Sequence, residues 1–256
     1  VVDLSAFYFD VLKDRLYTFA KYNPARRSGQ TAIYRIAHAL LRLLAPITVF
    51  TAEEIWKYFP RRTGEPESIH MALFPNAPDL RVPLTVTQSA SWGILLLVRN
   101  EVLKALEQAR NSKMISASLE AKVVVRATGD LQGVLSKYSA SLPSLFIVSQ
   151  VLTTEAIRDG LNHAGARRDT IDKLNSEQPV AQLSGTLGAV EVQKAEGAKC
   201  ERCWNYSTRV GENKEWPTVC ERCVAALEEI KSYGDEAMQS AGTSGRNPGA
   251  SGQGAS

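Results

Sequence analysis

The sequence predicts a mainly α protein, in which a helical bundle is followed by a small α/β domain and a four-cysteine zinc module. Three observations carry that prediction. Residues 1–113 repeat apolar side chains at helical spacing in successive segments. Residues 114–195 alternate β-branched runs with a helical stretch, and the only cysteines form two C-x2-C pairs near the end.

From Asp3 to about Tyr22, the residues Leu4, Tyr8, Val11, Leu12, Leu16 and Phe19 recur at helical spacing, with Lys13, Asp14 and Lys21 between them. The chain starts at Val1 and runs at once into this pattern, whose apolar face needs partners, so more chain is expected to precede it. A second helix is predicted from about Gln30 to Leu44, where Ile33, Ile36, Ala37, Leu40, Leu41 and Leu44 form a stripe that Pro46 terminates. TAEE at Thr51–Glu54 has the form of a capping box ahead of a short helix that closes at Phe59 and Pro60. A loop with SIHMALFP at Ser68–Pro75 follows. A long helix then spans about Thr87 to Asn111, burying Trp92, Leu95, Leu96, Val98, Val102, Leu103 and Leu106. Four helices of this kind make a bundle.

The texture changes after Ser116. LEAKVVVRA reads as a strand, DLQGVLSKYSASLP as a helix and SLFIVSQV as a second strand. From about Thr154 to Gln182 the chain is polar and poorly periodic, a loop or weak helix, and GTLGAVEVQKA reads as a further strand. The final QSAGTSGRNPGASGQGAS has almost nothing to bury and is expected to be disordered. The resulting division is a bundle over 1–113, an α/β domain over 114–195, a zinc module over 196–231 and a tail over 232–256.

Cys200, Cys203, Cys220 and Cys223 form the pattern C-x2-C-x16-C-x2-C, close to that of a tetrahedral zinc site. Each pair folds into a tight knuckle with both sulfurs facing one point. Disulfides are the alternative, but cysteine use is sparse and no apolar leader precedes the chain. A redox motif would need one pair beside a strand-helix-strand pattern, whereas two matched pairs here flank a polar, hairpin-like stretch. Four thiolates close the coordination sphere, so one structural zinc ion is expected rather than a catalytic one. About 25 residues cannot bury enough apolar surface to fold alone, and structural zinc contributes on the order of 10–16 kcal/mol. Zn²⁺ with four thiolates carries a formal charge of −2; Lys199, Arg202 and Arg222 beside the ligands either offset it or reach outward to phosphate.

Composition excludes little else. The 256 residues are 44% hydrophobic and 22% charged, with a formal net charge of +3, which neither demands nor excludes nucleic acid. The doublets Arg26-Arg27, Arg61-Arg62 and Arg167-Arg168 read first as solvated surface. No run approaches the roughly 18 apolar residues of a membrane span, so a cytoplasmic protein with no membrane partner is expected.

Seven segments, in order, carry a family resemblance: DLSAFYFDVLKDRLY, LLRLLAPITVFTAEEIWKYFP, SIHMALFP, VRNEVLKALEQAR, SLEAKV, LFIVSQV and KCERCWNYS with PTVCERCVAAL. Together they resemble the C-terminal part of bacterial isoleucyl-tRNA synthetases, from Asp3 to about Leu227. The resemblance implies a class I aminoacyl-tRNA synthetase whose bundle binds the anticodon arm of isoleucine tRNA, followed by a junction domain and a zinc finger that adds to tRNA binding. It also implies that the chemistry lies elsewhere: ATP and magnesium belong to a catalytic domain absent from this chain, editing belongs to an inserted domain that is likewise absent, and a monomer is expected.

SKMIS at Ser112–Ser116 is similar to the family's lysine-rich signature KMSKS but lacks its second lysine, and no HIGH-like partner exists, so no catalytic residue is assigned. His70 reads as a packing residue; His38 and His163 show no partner in the sequence. Trp56 and Trp92 read as core, while Trp204 either packs the knuckle or stacks on an RNA base. The nominated tRNA contacts are Arg26, Arg27, Arg99, Lys104, Arg202, Trp204, Arg209 and Arg222. Two alternatives are a zinc-finger DNA-repair glycosylase of the formamidopyrimidine type, whose N-terminal proline and glutamate are missing here, and a zinc-stabilised interaction module.

Overall fold

The computed structural model of the protein describes residues 2–154 and 189–243. A π-helical turn, Val2–Tyr8, leads directly into helix α1, Phe9–Thr18. Helix α2 is Pro24–Leu44, and it begins before the predicted Gln30 because the Asn23 side chain accepts from the Ala25 N–H at 3.0 Å and Pro24 presets the first turn. Helix α3 is Val49–Tyr58, so the expected capping box at Thr51–Glu54 lies inside the helix and caps nothing. Glu53 instead accepts from Ser68 Oγ at 2.8 Å and from the Ile69 N–H at 3.1 Å, and the Ser68 hydrogen bond leads in holding its carboxyl below the usual range. A 3₁₀ turn, Ile69–Met71, and a short helix α4, Ala77–Leu80, lead to helix α5, Val86–Asn111. The real capping box is here: Thr85 and Gln88 bond reciprocally.

α1 packs on α2 and α2 on α3, while α5 packs against the strands and helices that follow it. Strand β1, Ala121–Val125, lies at the centre of a three-stranded sheet, parallel to β2, Gln150–Thr153, and antiparallel to β3, Val190–Lys194. Helices α6, Gly129–Lys137, and α7, Leu142–Phe146, make the crossover that parallel strands require. Leu95, Val98, Val102, Leu106 and Ala109 of α5 share one core with Val123, Val125, Leu135, Phe146 and Val190. The division expected at 113/114 therefore falls inside a single core.

Two expectations are corrected. SLFIVSQV is not a strand throughout: Leu142, Leu145 and Phe146 are buried at helical spacing in α7, Ile147 takes a left-handed conformation at φ +57°, and only the last residues enter β2. Trp92 is 41% exposed rather than core, with its ring 6.1 Å from Tyr138. Trp56 is buried, and its indole N–H donates to the Pro66 carbonyl at 3.1 Å. Ile47 between α2 and α3, Phe50 on α3, and Met71 and Leu73 in and after the 3₁₀ turn, are exposed.

SKMIS is a helix stop. The Lys113 N–H donates to the Arg110 carbonyl at 2.9 Å and the Met114 N–H to the Ala109 carbonyl at 2.9 Å, a Schellman pattern with Lys113 at φ +59° where glycine is usual. Past the sheet, strands β4, Ala198–Lys199, and β5, Tyr206–Ser207, pair as a hairpin, and helix α8, Glu221–Thr243, closes the described chain. α8 runs beyond residue 231 into the stretch expected to be disordered. The polar loop over 155–182, with His163 and Arg167-Arg168, and the tail over 244–256 lie outside the described residues. Among the described residues no helix is long and apolar enough to cross a membrane.

Replacing Leu106 with alanine removes a fully buried side chain from the shared core. It is expected to lower stability by about 2–5 kcal/mol, with helix and sheet signals lost together in one urea transition.

Candidate metal centre and adjoining cleft

The metal module is built from a hairpin and the start of a helix. Gly197 opens the hairpin at φ +87°, and a Cβ there would lie 2.2 Å from the Ser207 carbonyl oxygen, so only glycine fits. In the first knuckle the Cys200 N–H donates to the Asn205 carbonyl and the Trp204 N–H to the Cys200 carbonyl, both at 2.9 Å. This turn puts Trp204 at φ +65°. The second pair sits at the N-terminus of α8, where the helix dipole favours thiolate.

All four sulfurs are buried and lie within 4.8 Å of one another. Tetrahedral zinc with Zn–S bonds of about 2.3 Å places its sulfurs about 3.8 Å apart, and Cys203 Sγ and Cys220 Sγ are 3.6 Å apart. The donor set fits such an ion. Val219 is buried against the cysteines, with Val210, Trp216, Val224 and Leu227 around them, so the module has little apolar core beyond its ligands. Thiol hydrogen bonds from Cys220 and Cys223 hold Cys203 well below its usual range, while the same bond to Cys203 pushes Cys220 up to about 11. Four adjacent thiols cannot all ionise without a cation to compensate them.

The nominated nucleic-acid contacts separate into two groups. Arg99 is corrected to a packing residue: it is buried, its Nε donates to the Leu145 carbonyl at 3.1 Å, its guanidinium lies 4.9 Å from the Phe7 ring centre, and burial lowers its pKa. Arg26 donates to the Phe19 carbonyl at 3.0 Å, just past the end of α1. Arg202 donates to the Thr18 carbonyl and lies 3.6 Å from Cys223 Sγ. Arg222 makes a two-pronged ion pair with Asp14, one prong at 2.9 Å. Burial works against its charge, and the Asp14 bonds and field outweigh that, so its pKa is raised. Arg27, Lys104, Trp204 and Arg209 remain exposed, with Lys104 paired to Glu101 and Arg209 to Glu212 in ordinary surface ion pairs.

Four of the nominated residues, Arg202, Trp204, Arg209 and Arg222, converge on one place. A cleft of about 840 Å³ lies between α1, the corner joining α7 to β2, and the metal module, lined by Lys13, Tyr17, Ile147, Arg202, Trp204 and Arg209 among others. Trp204 is 61% exposed, and the Lys199 ammonium sits 5.3 Å from its ring centre. His70 is exposed rather than packed, with its Nε2 3.2 Å from the Val49 carbonyl. His38 was without a partner in the sequence, yet its Nε2 lies 2.7 Å from Glu65 Oε1 and its ring stacks near Tyr34, Trp56 and Phe59. No local pattern links those positions.

Comparison with known proteins matches both halves of this arrangement. The family described as anticodon-binding domain of tRNA ligase matches residues 1–125, and the family described as zinc finger found in FPG and IleRS matches residues 197–226. The chain is 43% identical to an isoleucine-tRNA ligase of Syntrophotalea carbinolica over 88% of this chain and 22% of that protein. It is 39% identical to the isoleucine-tRNA ligase of Carboxydothermus hydrogenoformans, over 90% of this chain and 22% of that one. That of Desulforamulus reducens is 41% identical over 90% and 23%. The chain thus spans about a fifth of the length of the curated relatives it matches. A repair glycosylase shares the zinc finger's family description, but the anticodon-binding match and these relatives set that alternative aside. With both modules in order and this identity along nearly its whole length, the chain matches the C-terminal region of isoleucine-tRNA ligases.

Proposed function

We propose that this chain is the tRNA-binding part of an isoleucine-tRNA ligase, holding the anticodon arm of isoleucine tRNA while activation and transfer of isoleucine, with ATP and magnesium, occur in the rest of the enzyme. The chain performs no chemistry in this reading, and it works in the cytoplasm as a monomer. The observation that carries it is the cleft where α1 of the anticodon-binding domain meets the zinc finger, with Trp204 exposed in its wall. An unstacked base gains from an aromatic face, and lysine and arginine hold the adjoining phosphates. Arg27, Lys104, Trp204 and Arg209 are the side chains free enough to serve.

Cys200, Cys203, Cys220 and Cys223 would hold one zinc ion in this reading. Its chemistry is structural: it fixes the two knuckles and therefore the direction of Trp204. Asn205 and Tyr206, which follow the first knuckle, then meet the α/β domain correctly, with the Tyr206 N–H donating to Ser149 Oγ at 2.7 Å.

Four outcomes are expected. The purified chain binds an isoleucine tRNA transcript, and altering its anticodon weakens binding in a filter assay; equal affinity for duplex DNA of the same length would overturn the reading. Trp204→Ala costs about 1–3 kcal/mol of that affinity, while Arg27→Ala lowers the slope of log affinity against log salt by about 1. Chelation, or Cys203→Ser, removes the metal and exposes amides of residues 197–226 to hydrogen exchange, while the core around Leu106 stays protected.

A further inference from the structure

The metal module rests on α1 through two arginines that flank its cysteines. Arg202 Nη1 donates to the Thr18 carbonyl, the last of α1, and the same atom lies 3.6 Å from Cys223 Sγ. Arg222 pairs with both oxygens of Asp14, and its guanidinium lies 5.4 Å from the Phe19 ring centre. Asp14 and Arg222 are 208 positions apart in sequence. Further along, the rings of Tyr22 and Tyr233 meet edge to face at 4.7 Å.

Each guanidinium stands between two centres of negative charge. On one side is the cysteine cluster, formally −2 when four thiolates hold Zn²⁺. On the other are Asp14 and the carbonyl end of α1, which carries the negative pole of the helix dipole. The Arg222 and Asp14 side chains are only 35% and 25% exposed, so solvent screens their pairing less than it does a surface pair. The two-pronged geometry also fixes orientation, which a lysine could not do.

We infer that Asp14 is a positioning residue for the zinc finger: through Arg222, and beside Arg202, it latches the metal-loaded module onto the end of α1. The latch also sets the cleft, because Lys13 and Tyr17 stand on the α1 wall and Trp204 and Arg209 on the module wall. Asp14 touches no metal ligand, and its removal leaves all four cysteines in place. Its consequence for RNA rests on the tRNA-binding reading above; its consequence for the metal does not.

The test uses the full chain with Asp14→Asn, Asp14→Glu, and the reversed pair Asp14→Arg with Arg222→Asp. Zinc content, the rate of zinc transfer to a chromophoric chelator, and affinity for isoleucine tRNA are measured on each. Asp14→Asn is expected to keep one zinc per chain, to release it about tenfold faster, and to bind tRNA about tenfold more weakly. Asp14→Glu and the reversed pair recover both properties at least in part. A release rate unchanged in Asp14→Asn overturns the latch, and so does loss of zinc from the variant as purified, which would make Asp14 a folding residue. Faster release in the variant, from a chain that in its unaltered form binds no tRNA, supports the latch and overturns the tRNA reading alone.

Discussion

Leu95, Val98, Val102, Leu106 and Ala109 lie on one side of α5, and the burial of that stripe against β1, β3, α6 and α7 organises the protein. α7 held there touches α1, and α1 carries the metal module on its end. The cleft beside Trp204 is therefore set by packing that begins far from it. A helix that closes one domain and cores the next transmits position rigidly, because close-packed interiors deform little.

The metal module follows a different logic. Hydrophobic burial is small there, and the cysteines themselves form most of its core. Geometry comes from the knuckle hydrogen bonds and from Gly197 where a Cβ cannot fit, and a bound ion would draw the four sulfurs together. Four thiolates on such an ion would leave a negative cluster for arginines to meet. Arg202 and Arg222 are turned inward to α1, and the outward face is left to Trp204, Lys199 and Arg209. Cations turned inward to balance charge and cations left at the surface thus lie only a few positions apart in the chain.

Exposed apolar side chains are unevenly spread. Ile47, Phe50, Met71 and Leu73 crowd the end where α2 and α3 meet, and Leu97 faces outward from α5. α5 buries its apolar stripe against the sheet, and outer side chains where α2 meets α3 stay in water.

Much of this was legible in the sequence. The C-x2-C spacing, the stripes of α2 and α5 and the β-branched run of β1 are local patterns, and local patterns dictate local structure. The four sulfurs accordingly meet where the spacing predicts, within a buried cluster. What failed, failed for lack of long-range information. Leu142, Leu145 and Phe146 suit a strand or a helix equally by composition, and the core decided for a helix. The arginines are indistinguishable in sequence, yet Arg99 is buried on Leu145 and Phe7, Arg222 is held by a carboxylate 208 positions away, and Arg27 stands in solvent. His38 likewise found Glu65 only through the fold. The sequence by itself determined the long helices, the central strand and which residues can bind a metal, because these depend on spacing along the chain. Tertiary structure alone decided which cations remain free for a partner, because that depends on what each meets across the chain.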